Sequence, residues 1–379
     1  MTSPILLHAG FDGLDMAYRV TLPTELHAAL LRARAEAVEA RRAVPLSYGG
    51  HTFLVNGHGG AGGYAFSVDT GVMGANWWFK EPGTRDPWGA RVSSRALPLA
   101  TKGIEAVKAE LDRFLDDLGM TFSVIDCRLS RVDYAMDYLL PGFAILSEQF
   151  VTHSKRSKST DGTIAADYRG DTINGIRIGK MPNAQVAVYD KRREVLDKGK
   201  HYWWEIWRER GDIAGISLSK KSPVWRFEFR AGRNLLEKVY RRKTWEAFAA
   251  NPSLAFERIA QETRLTQPRM DTNRARWSSA DVWRACQAQL AKIEFGARAD
   301  IDVEAIKQAL FTEYLDTIGK QTVGLIVSQM AAYGLAAEDL PRLMEQVGLD
   351  VEAKLEDQPL SANAYVDGRA VAVAAKYGR

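Results

Sequence analysis

Three separated segments alternate between apolar and polar residues with the two-residue period of a β-strand. In RVDYAMD (residues 131–137) one face is apolar, and the opposite face carries Arg131, Asp133 and Asp137. QVAVYDK and VWRFEFR alternate in the same way. If the three strands lie in one sheet with their apolar faces together, the other face gathers polar groups. Those contributed by the second and third segments are Gln185, Tyr189, Lys191, Arg226, Glu228 and Arg230.

The patterns along the whole chain fall into two blocks. Short aromatic and β-branched runs mix with amphipathic helices before about residue 250, and helical patterns dominate afterwards. This predicts an α+β fold, with an antiparallel-sheet domain and packed helices over residues 1–250 and its motifs within 122–232. A mainly helical C-terminal region is predicted over residues 251–379. Weaker patterns predict a helix near residues 143–152 and little regular structure in the last 20 residues.

Composition narrows the class of protein. The 379 residues contain only Cys127 and Cys286, which are too far apart to suggest a disulfide framework or a zinc site. No apolar stretch approaches the roughly 18 residues that span a bilayer. The first residues lack the basic and apolar pattern of a secretory leader. We therefore expect a cytoplasmic protein that is not embedded in a membrane.

Charge is unevenly distributed along the chain. Residues 150–245 contain 22 Lys/Arg against 11 Asp/Glu, whereas residues 296–379 contain 8 against 13. A basic middle followed by an acidic tail favours a nucleic-acid surface joined to a module of another kind. The alternative is that the basic residues only solvate exposed faces.

The polar face suggests metal-assisted chemistry on phosphate. Asp133, Asp137 and Glu228 would repel one another unless a cation neutralised them, and oxygen ligands suit Mg²⁺ or Mn²⁺. Such an ion stabilises charge on a phosphodiester, and Tyr189 could act as a nucleophile if a metal or Lys191 eased its ionisation. The simpler interpretation is a solvated sheet face with cross-strand ion pairs.

At these residues the chain resembles the replication initiation factors of plasmids and phages. These are trans-acting rolling-circle initiators, with relatives among filamentous-phage replication proteins and conjugative relaxases. The resemblance covers roughly residues 8–290. It rests on the order of the segments GFDGLDMAYRV, LDDLGM, SRVDYAMD, IRIG, VAVYDKRRE and WRFEFR.

The resemblance implies metal-dependent nicking and rejoining of DNA through a 5′-phosphotyrosine. Asp133, Asp137 and Glu228 would hold the metal, and Tyr189 would be the nucleophile, with Lys191 beside it. Tyr168 and Tyr202 remain alternatives for the nucleophile. A relaxase with the same chemistry and a non-catalytic DNA-binding regulator remain alternatives for the function.

The expected partner is DNA at an origin or transfer site, partly single-stranded. The chain has no GxxxxGK[ST] phosphate loop, so a host helicase is expected to unwind the DNA. A homodimer is one assembly compatible with this role. HYWWEIW could stack bases, although core packing is the commoner use of tryptophan, and residues 321–349 could form a helix–turn–helix. The residues expected to contact DNA are Arg131, Arg177, Lys180, Arg192, Arg193, Arg226 and Arg230, with the loop Lys155–Lys158.

Overall fold

The computed structural model describes most of the chain. The residues described are 3–152, 164–169, 172–267, 273, 276–293, 295–296, 301–358 and 361–377. The strands are β1 (Ile5–Tyr18), β2 (Val44–Tyr48), β3 (His51–Val55), β4 (Phe66–Asp69), β5 (Ala75–Phe79), β6 (Ala90–Ser94), β7 (Cys127–Leu139), β8 (Phe150–Thr152), β9 (Ile164–Arg169), β10 (Thr172–Lys180), β11 (Ala184–Asp190), β12 (Val224–Gly232) and β13 (Thr263–Leu265).

Helices connect and cover these strands. They are α1 (Thr24–Glu39), α2 (Ala96–Lys102), α3 (Ile104–Asp117), α4 (Lys191–Asp197), α5 (Trp203–Ile213), α6 (Arg233–Tyr240), α7 (Trp245–Ala249), α8 (Ser253–Glu262), α9 (Asp281–Leu290), α10 (Val303–Tyr333), α11 (Leu340–Glu356) and α12 (Ala362–Tyr377). The predicted α+β class is confirmed. Among the described residues, no helix is both long and apolar enough to cross a membrane.

One large antiparallel sheet organises the fold. Its eleven described strands run in the order β2-β3-β4-β5-β6-β1-β7-β12-β11-β10-β9, and β8 pairs separately with β13. The apolar face carries the main core, in which Phe11, Tyr134 and Phe256 pack together. Helices α4 and α5 cover part of the opposite face, so a portion of the polar face remains open as a cavity.

The strand order is symmetric about the central pair of β1 and β7. An approximate two-fold axis normal to the sheet exchanges β6 with β12 and β5 with β11. The register agrees, because Asp15 pairs with Arg131 while Gly13 pairs with Asp133. The axis therefore exchanges Asp15 with Asp133 and keeps both on the polar face. No repeat is evident in the sequence, so this symmetry is visible only in three dimensions.

Several predicted elements need correction. The segment 143–152 contains no α-helix and ends in β8, because Ile145 and Phe150 are buried and β13 supplies a strand partner. Most of the last 20 residues belong to α12 (Ala362–Tyr377), which packs against β2 and β3. Its carbonyl at Lys376 accepts a hydrogen bond from the Val72 amide at 2.8 Å. The boundary near residue 250 stays a prediction.

A buried polar cluster joins α5 to the sheet. Arg226 on β12 donates from Nε and Nη2 to Asp137 on β7, at 2.6 and 2.8 Å. Its Nη1 reaches Asp12 on β1 at 2.5 Å. Trp207 of α5 donates to the same Asp137 carboxylate at 2.8 Å, and Trp203 lies 4.2 Å from the Arg226 guanidinium. We call these five residues the Arg226 cluster; it ties three strands and one helix together.

We expect Asp137→Ala to lower the free energy of unfolding by about 3–5 kcal/mol, because it leaves the Arg226 charge buried with only part of its partners. Asp197→Ala is the control, since that side chain is 59% exposed and should change stability by less than about 0.5 kcal/mol. Urea denaturation of both variants measures the difference. Equal stabilities would contradict a structural role for Asp137.

Candidate active site

Cross-strand pairing brings the predicted polar residues onto one surface. In an antiparallel sheet, directly opposed residues point to the same side. Small residues flank Glu228 on both neighbouring strands and leave space above the sheet. The three cross-strand rows are Asp133–Arg230–Gln185, Ala135–Glu228–Ala187 and Asp137–Arg226–Tyr189.

An open cavity of about 660 Å³ lies over these rows. Charged side chains of both signs line it, from β1, β7, β10, β11, β12 and α4. Its central functional groups are Asp133, Tyr189, Lys191 and Glu228. The predicted catalytic residues are therefore together at one cavity, which is the arrangement expected of a site.

Asp133 and Glu228 are buried carboxylates that each face an arginine. Asp133 accepts from Arg131 at 2.9 and 2.5 Å, and Glu228 accepts from Arg230 at 2.7 and 2.8 Å. Burial raises the pKa of Asp133 to about 7, and the negative charge of Glu228 adds to this rise against the effect of Arg131. The two carboxylates thus form a like-charged pair that a cation or a proton would relieve.

Tyr189 stands at the edge of this pair. Its hydroxyl lies 3.5 Å from Glu228 Oε2, within reach of a weak hydrogen bond. Loss of water contact raises the pKa of Tyr189 well above its ordinary value, and the charge of Glu228 raises it further against the effect of Arg226. Gly175 on β10 lies opposite, where a Cβ would come within 2.9 Å of the Tyr189 Cβ. The phenol is therefore neutral and needs a proton acceptor to react.

Lys191 begins α4 beside the tyrosine. Its Nζ lies 2.5 Å from Glu194, 4.6 Å from the Trp203 ring centroid and 5.8 Å from that of Tyr189. Burial lowers the pKa of Lys191 to about 8, and Arg226 lowers it further, against Asp12 and Glu194. Burial by itself raises the pKa of Glu194, but Lys191 and Lys200 lower it more. Lys191 is therefore a cation that can lose its proton near neutral pH.

Two predicted residues are placed differently. Both oxygens of Asp137 accept hydrogen bonds within the Arg226 cluster, and neither Asp137 nor Arg226 has exposed side-chain surface. In this structure Asp137 is not available to a metal, and Arg226 is not available to DNA. We correct both assignments to structural roles, because a period-two pattern cannot distinguish a site residue from a buried ion pair on the same face.

The remaining residues expected to contact DNA differ in their position relative to the cavity. Arg131 and Arg230 line it, paired with Asp133 and Glu228. Arg177 pairs with Asp167 at 2.9 Å on the exposed β10 surface. Lys180 is exposed at the end of β10, outside the cavity lining. The loop Lys155–Lys158 lies outside the described residues.

Arg192 and Arg193 lie in the first turn of α4, shortly after the candidate tyrosine in the sequence. Arg193 lines the cavity and lies 3.6 Å from Asp197. Arg192 lies 3.3 Å from Asp190, which also caps the helix by accepting a hydrogen bond from the amide of residue 193. Both side chains are partly exposed, so a phosphate could replace their carboxylate partners. Their predicted contact with DNA stays a prediction.

Neither alternative tyrosine lines the open cavity, whereas Trp203 of the tryptophan run lines it. Tyr202 is buried, and burial raises its pKa. Tyr168 follows Asp167 on β9, and because Asp167 lines the cavity, Tyr168 points to the other side of the sheet. Trp203 and Trp207 are buried, which favours core packing over base stacking. Tyr189 is the tyrosine that the geometry favours.

The sequence reasoning missed two aspartates on β1. Asp12 completes the Arg226 cluster, and Asp15 lines the cavity 3.6 Å from Arg91. The signal was present in GFDGLDMAYR, where Asp15 follows Gly13 by two residues, but the glycines obscured the alternation. The register shift between Phe11 and Gly13 also changes which residues share a face.

The carboxylates offer an incomplete metal site. Within the described ranges, no group of three or more His, Cys, Asp or Glu side chains is placed to hold a metal ion. Asp133 and Glu228 remain as a pair of oxygen donors. Two carboxylates suit Mg²⁺, which usually completes its shell with water and substrate phosphate. The pair therefore fits such an ion when phosphate contributes further ligands.

We compare the free energy of unfolding of the wild type with that of Lys191→Met. We expect the wild-type value to rise relative to the variant by about 2 kcal/mol between pH 7.5 and pH 10. The pKa of Lys191 is lowered in the folded chain to about 8, whereas the unfolded value is about 10.4, so the unfolded state binds more protons in this window. Stability from this group is lost as pH falls through about 8. Denaturant unfolding at several pH values measures it.

Lys198→Met is the matched control, since this lysine is exposed at the end of α4. Its stability difference from the wild type should not change with pH. A pH-independent difference for Lys191→Met would contradict the lowered pKa.

No protein-family model matches the chain, and no curated protein matches it. Among solved structures, a rolling circle replication initiator protein from Geobacillus stearothermophilus is similar to it. The two are 13% identical with a TM-score of 0.38, over 76% of this chain and 98% of that one. This level of similarity carries no argument about activity.

Proposed function

We propose that the protein nicks and rejoins DNA with Tyr189 as nucleophile, and that it initiates rolling-circle replication. The observation that carries the chemistry is the position of Tyr189, with its hydroxyl 3.5 Å from Glu228 in an open cavity lined by arginines. The resemblance of the ordered sequence segments to replication initiation factors supports the biological role. A relaxase would use the same chemistry at a transfer site.

In the nicking step the Tyr189 oxygen attacks phosphorus. The O–P bond to the tyrosine forms as the bond to the 3′-oxygen breaks, giving a 5′-phosphotyrosine and a free 3′-hydroxyl. Glu228 accepts the phenol proton, and Lys191 or solvent supplies the proton to the leaving oxygen. Rejoining reverses these transfers. The raised pKa of Tyr189 makes the nearby acceptor necessary, because the free phenol is a weak nucleophile.

The cations around the cavity would bind the phosphate. Arg131 and Arg230 each have a carboxylate partner in the structure and could turn toward a phosphodiester that enters the cavity. Arginine suits this role because its planar guanidinium forms paired hydrogen bonds with phosphate. A divalent ion, Mg²⁺ or Mn²⁺, held by Asp133 and Glu228 would supply further stabilisation of charge on the phosphate oxygens.

The partners follow from this proposal. The substrate is a DNA strand that is unpaired at the nick, at an origin or transfer site. The chain contains no phosphate loop for nucleotide hydrolysis, so unwinding is assigned to a host helicase. Assembly as a homodimer remains a prediction.

We expect Tyr189→Phe to abolish covalent attachment to DNA, because phenylalanine has no oxygen to attack phosphorus. The assay incubates the protein with Mn²⁺ and a library of single-stranded oligonucleotides of random sequence, and separates adducts on a denaturing gel. Nicking of supercoiled plasmid DNA is measured in parallel. Tyr168→Phe is the control and should retain the adduct.

An adduct formed by Tyr189→Phe would show that another residue is the nucleophile. If the wild type binds DNA but forms no adduct with any member of the library and nicks no plasmid, the protein is instead a non-catalytic DNA-binding regulator.

We expect Asp133→Asn and Glu228→Gln to lower adduct yield by at least about 100-fold, because each replaces a negatively charged carboxylate with a neutral amide, which is a weaker ligand for the proposed metal ion. Titration of Mn²⁺ by electron paramagnetic resonance should show weaker binding in both variants, independently of activity. Asp15→Asn is a matched control, since Asp15 is the symmetric counterpart of Asp133 and its loss removes the same charge. Unchanged Mn²⁺ affinity in the first two variants would exclude this metal site.

A further inference from the structure

The polar face continues beyond the cavity onto the other half of the sheet. Asp15 of β1 lines the cavity and lies 3.6 Å from Arg91 of β6. One row further along, Arg91 is opposite Trp78 on β5 and Ala17 on β1, and Ala17 is opposite Arg128 on β7. The surface from the cavity to this row is therefore continuous.

Arginines on this surface stack on tryptophans. Trp88 has the Arg128 guanidinium 3.7 Å and the Arg19 guanidinium 4.7 Å from its ring centroid. The Arg91 guanidinium lies 5.2 Å from the centroid of Trp78. We call these five residues the Arg–Trp tract. Stacking restrains the plane of a guanidinium and leaves its N–H groups at the edge available for hydrogen bonds.

Among the described residues, Arg19 and Arg128 of the tract have no ion-pair partner, whereas Arg91 pairs with Asp15. In the part of the chain that the structure describes, no carboxylate lies within 4.0 Å of Arg19 or Arg128 in an ion pair, whereas Arg131, Arg177 and Arg230 all have one. Burial lowers the pKa of Arg128; the nearby Tyr64 and Asp86 oppose this effect, and the positive charges of Arg233 and Arg19 add to it. An anion placed here would relieve that repulsion.

The two-fold symmetry of the sheet shows how this half differs from the cavity. The axis that exchanges Asp15 with Asp133 also exchanges Arg91 with Glu228 and Trp78 with Ala187, because each pair occupies matching register positions. The half with the tyrosine therefore carries carboxylates and small residues. The matching positions of the other half carry a cation and an indole, which suit binding rather than catalysis.

We propose that the Arg–Trp tract binds the phosphate backbone of the single-stranded DNA that leads to Tyr189. The inference builds on the proposed function, since the same strand occupies both surfaces. Arg128 lies three residues from Arg131 along β7, or about 10 Å, so a strand on the tract continues directly into the cavity. Surfaces that bind an unpaired strand commonly combine a cationic groove along the backbone with aromatic side chains and cation–π contacts from arginine.

The test is the salt dependence of binding to a fluorescein-labelled single-stranded oligonucleotide of mixed sequence. Fluorescence anisotropy is measured with EDTA present, in the full-length chain with Tyr189→Phe, so that cleavage does not interfere. We expect Arg19→Gln with Arg128→Gln to weaken binding at low salt by about 10-fold or more. The slope of log K against log [salt] should become shallower by about 1.4, since each lost phosphate contact contributes about 0.7.

The matched control is Arg258→Gln with Arg284→Gln. These arginines are partly or largely exposed on α8 and α9, and their replacement removes the same charge as the tract variant. Helix α8 packs on the opposite, apolar face of the sheet, away from the tract. The control should bind within about twofold of the parent. Arg19→Gln alone, at an exposed position, should shift the slope by about 0.7 and covers the case in which the double variant does not fold.

The outcomes separate the two proposals. Equal affinity and slope for the tract and control variants, or a loss confined to duplex probes, would overturn the tract. If the tract variants lose affinity for the single strand while wild-type protein forms no tyrosine adduct, the tract stands and the nicking function fails. If adducts form normally but the tract variants bind like the control, nicking stands and the tract fails.

Discussion

The bidentate ion pair between Arg226 and Asp137 is the interaction on which the rest of the structure depends. It joins two central strands through side chains with no solvent exposure, and each member recruits a further element, Asp12 of β1 and Trp207 of α5. Such a pair is costly to desolvate and is retained only when its hydrogen bonds are satisfied, as they are here. Because Tyr189 is the next residue in the Arg226 row, the same contacts fix where the phenol stands.

Next to the Arg226 cluster, the cavity contains buried carboxylates whose charges repel one another. Asp133 and Glu228 lie in a buried, like-charged arrangement that raises the pKa of Asp133, and their arginine partners compensate only partly. Ala135, Ala187 and Gly175 contribute no bulk and keep the space open. Strained electrostatics beside an open volume are typical of places where a substrate or an ion completes the set of partners.

The two halves of the symmetric sheet carry different side chains on one surface. β1 and β7 provide matching central strands, yet their outer neighbours carry opposite chemistry at matching positions, Arg91 against Glu228. The C-terminal α12 packs back on β2 and β3, next to the half that bears the arginines. The acidic tail also touches the basic segment 150–245, because Glu313 of α10 lies 3.7 Å from His201.

The sequence by itself determined the α+β class, the strand faces and the candidates Asp133, Tyr189 and Glu228, because a two-residue period assigns each side chain to a face. It could not determine which neighbours a residue on that face would meet. Only tertiary structure decided that Asp137 and Arg226 bind each other, that Asp12 joins them, and that Trp203 and Trp207 are buried. Register and packing between distant segments set those partners. The position of α12 is likewise decided by its packing against the strands β2 and β3 at the edge of the sheet.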